Sequence, residues 1–478
     1  CDRGACVAGV DQSGGMPSVV RDRAQARRGG PSAQPLQRRH YTRFTDNHLL
    51  SFFAASFGII LTVWLRHGGF GDLAKGAVPA STSVTQLTGI AASFAGLAGL
   101  ALAGRPIALE HRYGLDRVFI WHRILGEAMA VLIGVHIVAG VFAWGLDIGF
   151  ASSIVDLTGR EPYMALAFVG SLIIGAVTIT SLRSIRRQMS YETWYFVHLV
   201  AYAGFAISFS HEIVLGALFA NDTLARWLWV ALHIGVGVAL ISGRWGRLIR
   251  ASLHPLHIAE TRRLNNNTVE LRLAGGGLNK MVGDAGQFVI VRPLAKGLWW
   301  QAHPFSLSAA PTTHGLKISV KSLGDGSASI GALPRGTRVV VEGPFGACTP
   351  RAMEDRKVLF IVGGIGVAPV KAMLERLDRR NQPIILYRAH RHDDLVYANE
   401  LRGMARELGG ELMTLVGPTA TLAVRDPFSG KVLRKAIPDL TERVTVLCGP
   451  ERLLWAGRAG LREAGVAAED IHFEQPWW

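Results

Sequence analysis

Residues Val118 to Leu146 read VFIWHRILGEAMAVLIGVHIVAGVFAWGL, an apolar run of 29 residues that carries two histidines, His122 and His136. A run longer than the roughly 20 residues that cross a bilayer predicts a membrane-spanning helix. The histidines are 14 residues apart, which on a helix is about 21 Å along the axis and within about 40° of one face. One face therefore presents an imidazole near each side of the membrane. The stretch from Trp194 to Leu215, WYFVHLVAYAGFAISFSHEIVL, repeats the device with His198 and His211, 13 residues apart.

Polar side chains are expensive in lipid and mark pathways there. Four histidines at two depths therefore predict two metal centres clamped between two helices, and neutral imidazole pairs are one way to hold haem iron. Two stacked haems would carry electrons across the lipid. One spacing is awkward, because 13 residues leave His198 and His211 about 140° apart on an ideal helix. That predicts over- or underwinding between Gly204 and Ser210, or a loosened helix end at His211.

Around these two runs lie four more, giving approximate spans at 49–65, 84–103, 118–146, 164–182, 194–218 and 227–242. The expectation is a six-helix transmembrane bundle over 46–250 that contacts membrane lipid. With a cytoplasmic N-terminus, the inner connections carry Arg105, Arg112, Arg117, Arg183, Arg186, Arg187, Arg244, Arg247 and Arg250, against Arg66, Lys75, Arg160 and Arg226 outside. That asymmetry follows the positive-inside rule and puts both termini in the cytoplasm of a cell inner (plasma) membrane protein. Spans three and five then run in the same direction, so His122 faces His198 on the inner side and His136 faces His211 on the outer side. Trp64, Trp144, Trp227 and Trp229 fall near the outer boundary and Trp121, Trp194 and Trp245 near the inner one, as an aromatic belt would place them. Glu127 and His233 read as packing or hydrogen-bonding groups.

The chain has 478 residues, 49% hydrophobic content and a net charge of +15. Much of that charge sits at membrane boundaries and in residues 1–45, a polar segment with eight arginines, so its distribution argues against nucleic acid and reads as a solvated tail that fixes topology, with contact to anionic lipid headgroups as the alternative. The 1–45 segment reads as a disordered basic tail without the apolar core of a signal peptide. The chain opens on Cys1 rather than Met, which leaves a trimmed beginning or a lipid-bearing terminus open. Four cysteines, Cys1, Cys6, Cys348 and Cys448, form neither a disulfide framework nor zinc spacing, and no C-x-x-C-H attachment motif occurs. Any haem is therefore held non-covalently.

Past Arg250 the pattern becomes short alternating runs, NTVELRLAG, AGQFVIVRP, LKISVKSLG and TRVVVEGPFG, which predict a small antiparallel β-barrel over 253–350. Over 356–478, KVLFIV, GGIGVAP and VKAMLERLDRR begin an alternation of strand and helix, the signature of a doubly wound α/β nucleotide-binding layer. Gly363, Gly364 and Gly366 with Pro369 lie between strand and helix, where small residues admit a nucleotide and a helix start favours anions. The strand at Val444–Leu447 leads into Cys448, Gly449 and Pro450.

The barrel segment contains His303-Pro304-Phe305-Ser306-Leu307-Ser308, which resembles the flavin motif of the ferredoxin-reductase-like fold in its ferric reductase and NADPH oxidase branch. With the spans, the spaced histidines, LEHRYGLDR before the third span and the glycine turn, the resemblance to the bacterial NADPH oxidase and ferric reductase superfamily runs from about Phe44 to the end. It implies that Phe305 packs along the flavin ring, Ser306 bonds near its reactive nitrogen and His303 lies near the FAD phosphate or ribitol, with Pro304 and Ser308 completing the segment. Lys321, Gly326 and Ser327 match the family's pyrophosphate loop. Cys448 matches the cysteine near the hydride-donating nicotinamide carbon, so Cys448 and Ser306 are the catalytic candidates.

Two departures bear on specificity and on the flavin. His390 occupies the position where the family often has an arginine, and the flanking Arg388 and Arg391 are candidates for a 2′-phosphate, favouring NADPH with NADH possible. The chain ends Pro476-Trp477-Trp478, and either tryptophan can supply the terminal ring that many relatives stack on the flavin. The resemblance implies FAD, two b-type haems and a small-molecule electron acceptor, dioxygen or a ferric chelate, with no obligatory protein partner. The short outer connections, 66–83, 147–163 and 219–226, carry no ligand cluster for a metal chelate and favour dioxygen, with Arg160 or Arg226 to stabilise superoxide. A haem-binding subunit serving a partner redox protein is the rival.

Overall fold

The computed structural model describes residues 46–105, 109, 113–145, 148–220, 222–281, 283–353, 355–419, 422, 424 and 426–473. The basic 1–45 segment, Arg112 and the pair Trp477 and Trp478 lie outside the described residues. The first part of the chain is helical: α1 Asp46–Arg66, α2 Ala77–Ala103, α3 Leu115–Trp144, α4 Phe150–Arg160, α5 Met164–Ser181, α6 Tyr191–Leu215 and α7 Thr223–Leu240. A π-helical turn, Ile241–Trp245, joins α7 to α8, Gly246–Leu253. Among the described residues, five helices are long and apolar enough to cross a membrane, namely α2, α3, α5, α6 and the continuous Thr223–Leu253. The chain is therefore a multi-pass membrane protein.

The outer connection 147–163 carries a helix, α4, over most of its length. The aromatic belt is incomplete: Trp227 is exposed, but Trp64 and Trp229 are buried and turn their indoles inward, to the Ser83 carbonyl and to Glu212. A buried indole N–H takes an acceptor wherever the interior offers one. Finally, α6 is an unbroken α-helix through His198 and His211. The awkward spacing is taken up by the His211 side chain, whose Nδ1 turns back to the carbonyl of Ser208 one turn earlier.

Small residues let these helices approach closely. A Cβ on Gly96 would stand 2.4 Å from the Phe205 ring, and one on Gly170 would stand 2.6 Å from the Gly204 carbonyl. Such contacts substitute for the hydrophobic drive that lipid removes.

Two sheets follow. β1 Leu256–Asn265, β2 Thr268–Ala274, β3 Phe288–Pro293, β4 His303–Ser306, β5 Leu316–Lys321 and β6 Arg338–Phe345 form a six-stranded sheet in the order β4-β3-β6-β1-β2-β5. Its pairings are antiparallel, and a bridge between Leu307 and Ile318 brings its two edges together. Alternate residues such as Val289, Val291, Ile318 and Val320 fill its interior. Helix α9, Asp325–Gly331, follows β5.

The second sheet contains β7 Val358–Gly363, β8 Ile384–Ala389, β9 Glu411–Val416, β10 Val444–Cys448 and β11 Ile471–Phe473. It is parallel in the order β11-β10-β7-β8-β9. Helices α10 Val367–Leu374, α11 Ala398–Glu407, α12 Gly430–Ala436 and α13 Glu451–Glu463 connect its strands. Every residue of β7 is buried, because a central parallel strand is covered on both faces.

The two parts meet at Leu115 and Phe119 of α3, which pack with Phe288, Ile290, Ala302 and Phe345 of the antiparallel sheet. Phe288 is paired directly with Ser306. The start of a histidine-bearing helix therefore lies one strand away from the flavin-motif strand.

Candidate functional site

The helices bring the four histidines together in two pairs. The His122 and His198 ring centres are 5.9 Å apart, and those of His136 and His211 are 6.1 Å apart. A metal–imidazole bond is about 2 Å, so two rings on opposite sides of one ion would have centres roughly 6 Å apart. Both pairs fit.

Each Nδ1 is engaged. His122 donates to the Gly99 carbonyl at 2.9 Å and His136 to the Thr85 carbonyl at 2.9 Å. His211 donates to the Ser208 carbonyl, and His198 faces the Ser181 hydroxyl at 3.4 Å. For His122, His136 and His211 the carbonyl acceptor holds the proton on Nδ1 and leaves Nε2 free to ligate a metal. Gly89 makes the close approach of α2 possible, since a Cβ there would lie 2.7 Å from His136 Nδ1.

A cavity of about 490 Å³ opens beside the second pair, lined by His136, His211, Gly89, Ser93 and Glu212, with Ile154 and Leu157 from α4. Its size is that of a ligand or cofactor site. Neither Arg160 nor Arg226 lines it, and Arg160 is paired with Asp156 at 2.6 Å. The role given to those arginines is therefore withdrawn. Glu212 escaped the sequence reading. It accepts hydrogen bonds from Ser93 and Trp229, both at 3.0 Å, and its only signal in the chain was its place next to His211.

The flavin motif lies on β4, where His303, Pro304, Phe305 and Ser306 are all partly exposed. The His303 and Phe305 rings stack with centres 6.3 Å apart and planes 22° from parallel. They form a flat wall against the sheet interior, as a flavin ring needs. Gly326 closes on this wall, since a Cβ there would be 2.8 Å from the His303 ring.

Other candidates in this region are occupied. Ser308 is fully buried and donates to Glu270 at 3.0 Å, so its hydroxyl packs the interior instead of facing a cofactor. Lys321 reaches Asp394 at 3.3 Å. The loop after it is a helix start in which the Ser327 hydroxyl accepts the amides of Leu323 and Gly324, so those amides cap the turn.

In the parallel sheet the chain turns back between β7 and β10, and the carboxyl ends of these strands form the switch point where open α/β sheets bind nucleotides. Gly363 and Gly366 meet Cys448, Gly449 and Pro450 there, while Gly364 between them faces open space. A Cβ on Gly366 would lie 2.4 Å from the Cys448 carbonyl oxygen, and one on Gly449 3.0 Å from the Gly363 nitrogen. Pro369 is buried in α10, just beyond the turn. Arg388 and Arg391 lie at or just past the end of β8. Arg388 donates to the carbonyls of Ala389 and Leu415, while Arg391 is exposed beside Asp393 at 3.6 Å.

Residues 88–209 match the family model described as ferric reductase like transmembrane component. An NADPH oxidoreductase of Mycobacterium tuberculosis is 28% identical over 206 residues, 40% of this chain and 51% of its own. NADPH oxidase 3 of Homo sapiens is 25% identical over 341 residues, 56% of this chain and 58% of its own. A flavohemoprotein of Bordetella pertussis is 30% identical over 207 residues, 40% of this chain and 52% of its own. The chain thus spans about half the length of these curated relatives. It fits the NADPH oxidase and ferric reductase superfamily of oxidoreductases.

Proposed function

We propose that this protein is a transmembrane oxidoreductase that passes electrons from cytosolic NADPH, by way of FAD and two b-type haems, to dioxygen on the outer side, forming superoxide. The observation that carries the reading is the pair of imidazole pairs, with ring centres 5.9 Å and 6.1 Å apart; His122, His136 and His198 lie inside the matched transmembrane component and His211 two residues past its end. With α1 as a sixth span, they sit at two depths on two helices of the same direction. FAD, when bound, converts a two-electron donor into single-electron steps, and the haems relay those steps through lipid.

The residues supply placement. His122 and His198 would hold the inner haem and His136 and His211 the outer one. Phe305 and His303 provide the flavin wall, with Ser306 as a hydroxyl at its edge. The glycine turn and Cys448 receive the nicotinamide end. The cavity beside His136 and His211 would admit a small acceptor such as dioxygen next to the group that this pair would hold.

NADPH oxidation by the purified protein in air, with cytochrome c as reporter, tests this function. Reporter reduction should be suppressed by superoxide dismutase. The family description favours one second reading, reduction of ferric chelates. Dismutase-insensitive reporter reduction with faster turnover on ferric chelates without oxygen would select it.

Two variants probe the parts. Gly89→Leu should push the His136 ring away and lower haem content by about half while sparing the inner haem, as read by haem assay and redox titration. Full haem content would mean that His136 is not a ligand. Arg388→Ala with Arg391→Ala should raise KM for NADPH by about tenfold and leave that for NADH nearly unchanged, because only NADPH carries the 2′-phosphate. Equal changes would make both arginines surface residues.

A further inference from the structure

The antiparallel and parallel sheets are joined by a buried polar cluster. Tyr397, the residue before α11, has φ of +64°. For a bulky side chain this left-handed conformation is strained, and such strain persists where surrounding contacts over-determine it. Those contacts belong to the other sheet. The Tyr397 hydroxyl donates to Glu270 Oε1 on β2 at 2.7 Å and lies 2.7 Å from the Ser319 hydroxyl on β5, which can donate to it. Ser308 donates to the same Glu270 oxygen at 3.0 Å.

Lys371 of α10, 6% exposed, completes the join. Its ammonium donates to the Ser308 carbonyl at 3.1 Å and lies 5.3 Å from the centre of the Tyr397 ring. Arg262 bonds the second Glu270 oxygen at 3.2 Å. Burial alone would raise the Glu270 carboxyl, but the Tyr397 hydrogen bond and Arg262 hold it below its usual value, while burial raises the Tyr397 hydroxyl. At neutral pH the carboxylate can only accept and the phenol donates, so the contact has one polarity.

The cluster's position gives it a role beyond adhesion. Ser308 is two residues past Ser306 on the flavin side, and Lys371 is five residues past Gly366 on the nucleotide side. Both halves of the reacting face are anchored to the same few atoms. We propose that Tyr397 is a positioning residue for hydride transfer, holding the nucleotide switch point in register with the flavin strand through Glu270 and Ser308. The proposal rests on reading the two sheets as an FAD and NADPH module. Transfer requires approach to about 3–3.5 Å, and a shift of about 1 Å costs on the order of a hundredfold.

The test is anaerobic stopped-flow bleaching of flavin by saturating NADPH in the full-length, FAD-loaded protein. Tyr397→Phe should lower the limiting rate by roughly 10- to 100-fold, with FAD content, melting temperature, NADPH affinity and dithionite reduction unchanged. Glu270→Gln, which keeps the accepting oxygen, should stay near wild type, whereas Glu270→Leu should fall with Tyr397→Phe. If Tyr397→Phe fails to fold, Ser319→Ala carries the test, with a several-fold loss of rate at full FAD content expected. A limiting rate within about twofold of wild type, a loss matched by lost FAD, or equal rates for the two Glu270 variants overturns the proposal. A wild-type flavin that NADPH does not bleach overturns the functional reading instead.

Discussion

Alanine at His122 or His198 should abolish haem reduction by NADPH while NADPH still bleaches the flavin at the wild-type rate. The inner pair lies on the side where α3 meets the antiparallel sheet through Leu115, Phe119 and Phe288, so in the proposed relay it is the first stop for electrons leaving the flavin. Loss of one imidazole would leave its partner, with ring centres 5.9 Å apart in the intact pair, facing no second ligand, so a haem held there would lose an imidazole that the Gly99 carbonyl or Ser181 orients. Alanine at His136 or His211 should instead leave one haem reducible by NADPH and stop delivery beyond it. Anaerobic optical titration separates the two cases. An outer-pair variant that retains both haems would break the assignment, as would an inner-pair variant that still reduces one.

Gly366→Val should lower the rate of flavin reduction by NADPH by on the order of a hundredfold, with flavin content and reduction by dithionite preserved. The backbone angle at Gly366 is ordinary for any residue, with φ of −58°. The obstacle is space: a Cβ would lie 2.4 Å from the Cys448 carbonyl oxygen, 2.5 Å from its carbon and 2.7 Å from the Gly449 nitrogen. These are backbone atoms of the neighbouring strand end and cannot rotate away, so α10 and the turn must shift. Gly364 is the control two residues earlier. Its φ is +53° and nothing lies within 4 Å of an added Cβ, so Gly364→Asn should cost about 1 kcal/mol or less, since asparagine tolerates the left-handed region. Similar rates for the two variants would remove the close strand contact from the account.

Much of this was legible in the chain because it rests on periodicity. The spacings of His122 with His136 and of His198 with His211 located both pairs without coordinates. The change from alternating runs to KVLFIV followed by a glycine turn separated the antiparallel sheet from the parallel one. What escaped depends on side-chain direction or on partners far away in sequence. The reading of Ser308 followed its motif, but a serine two residues past Ser306 is drawn inside by Glu270, 38 residues earlier. Lys321 looked like a phosphate ligand, and its partner Asp394 lies 73 residues on. Trp64 and Trp229 had the right depth for a belt, yet depth does not say which way an indole turns. The 13-residue spacing suggested a distorted helix, whereas one rotatable imidazole absorbed the angle.

Electrons that cross the membrane through the two histidine pairs can be followed in the protein reconstituted in liposomes, with cytochrome c trapped inside and impermeant NADPH added outside to molecules whose nucleotide sheet faces outward. Trapped cytochrome c should be reduced as NADPH is consumed, and His136→Ala should stop that reduction while leaving NADPH able to bleach the flavin. NADPH consumption with no reduction inside, or trapped reduction that His136→Ala leaves unchanged, would contradict the account.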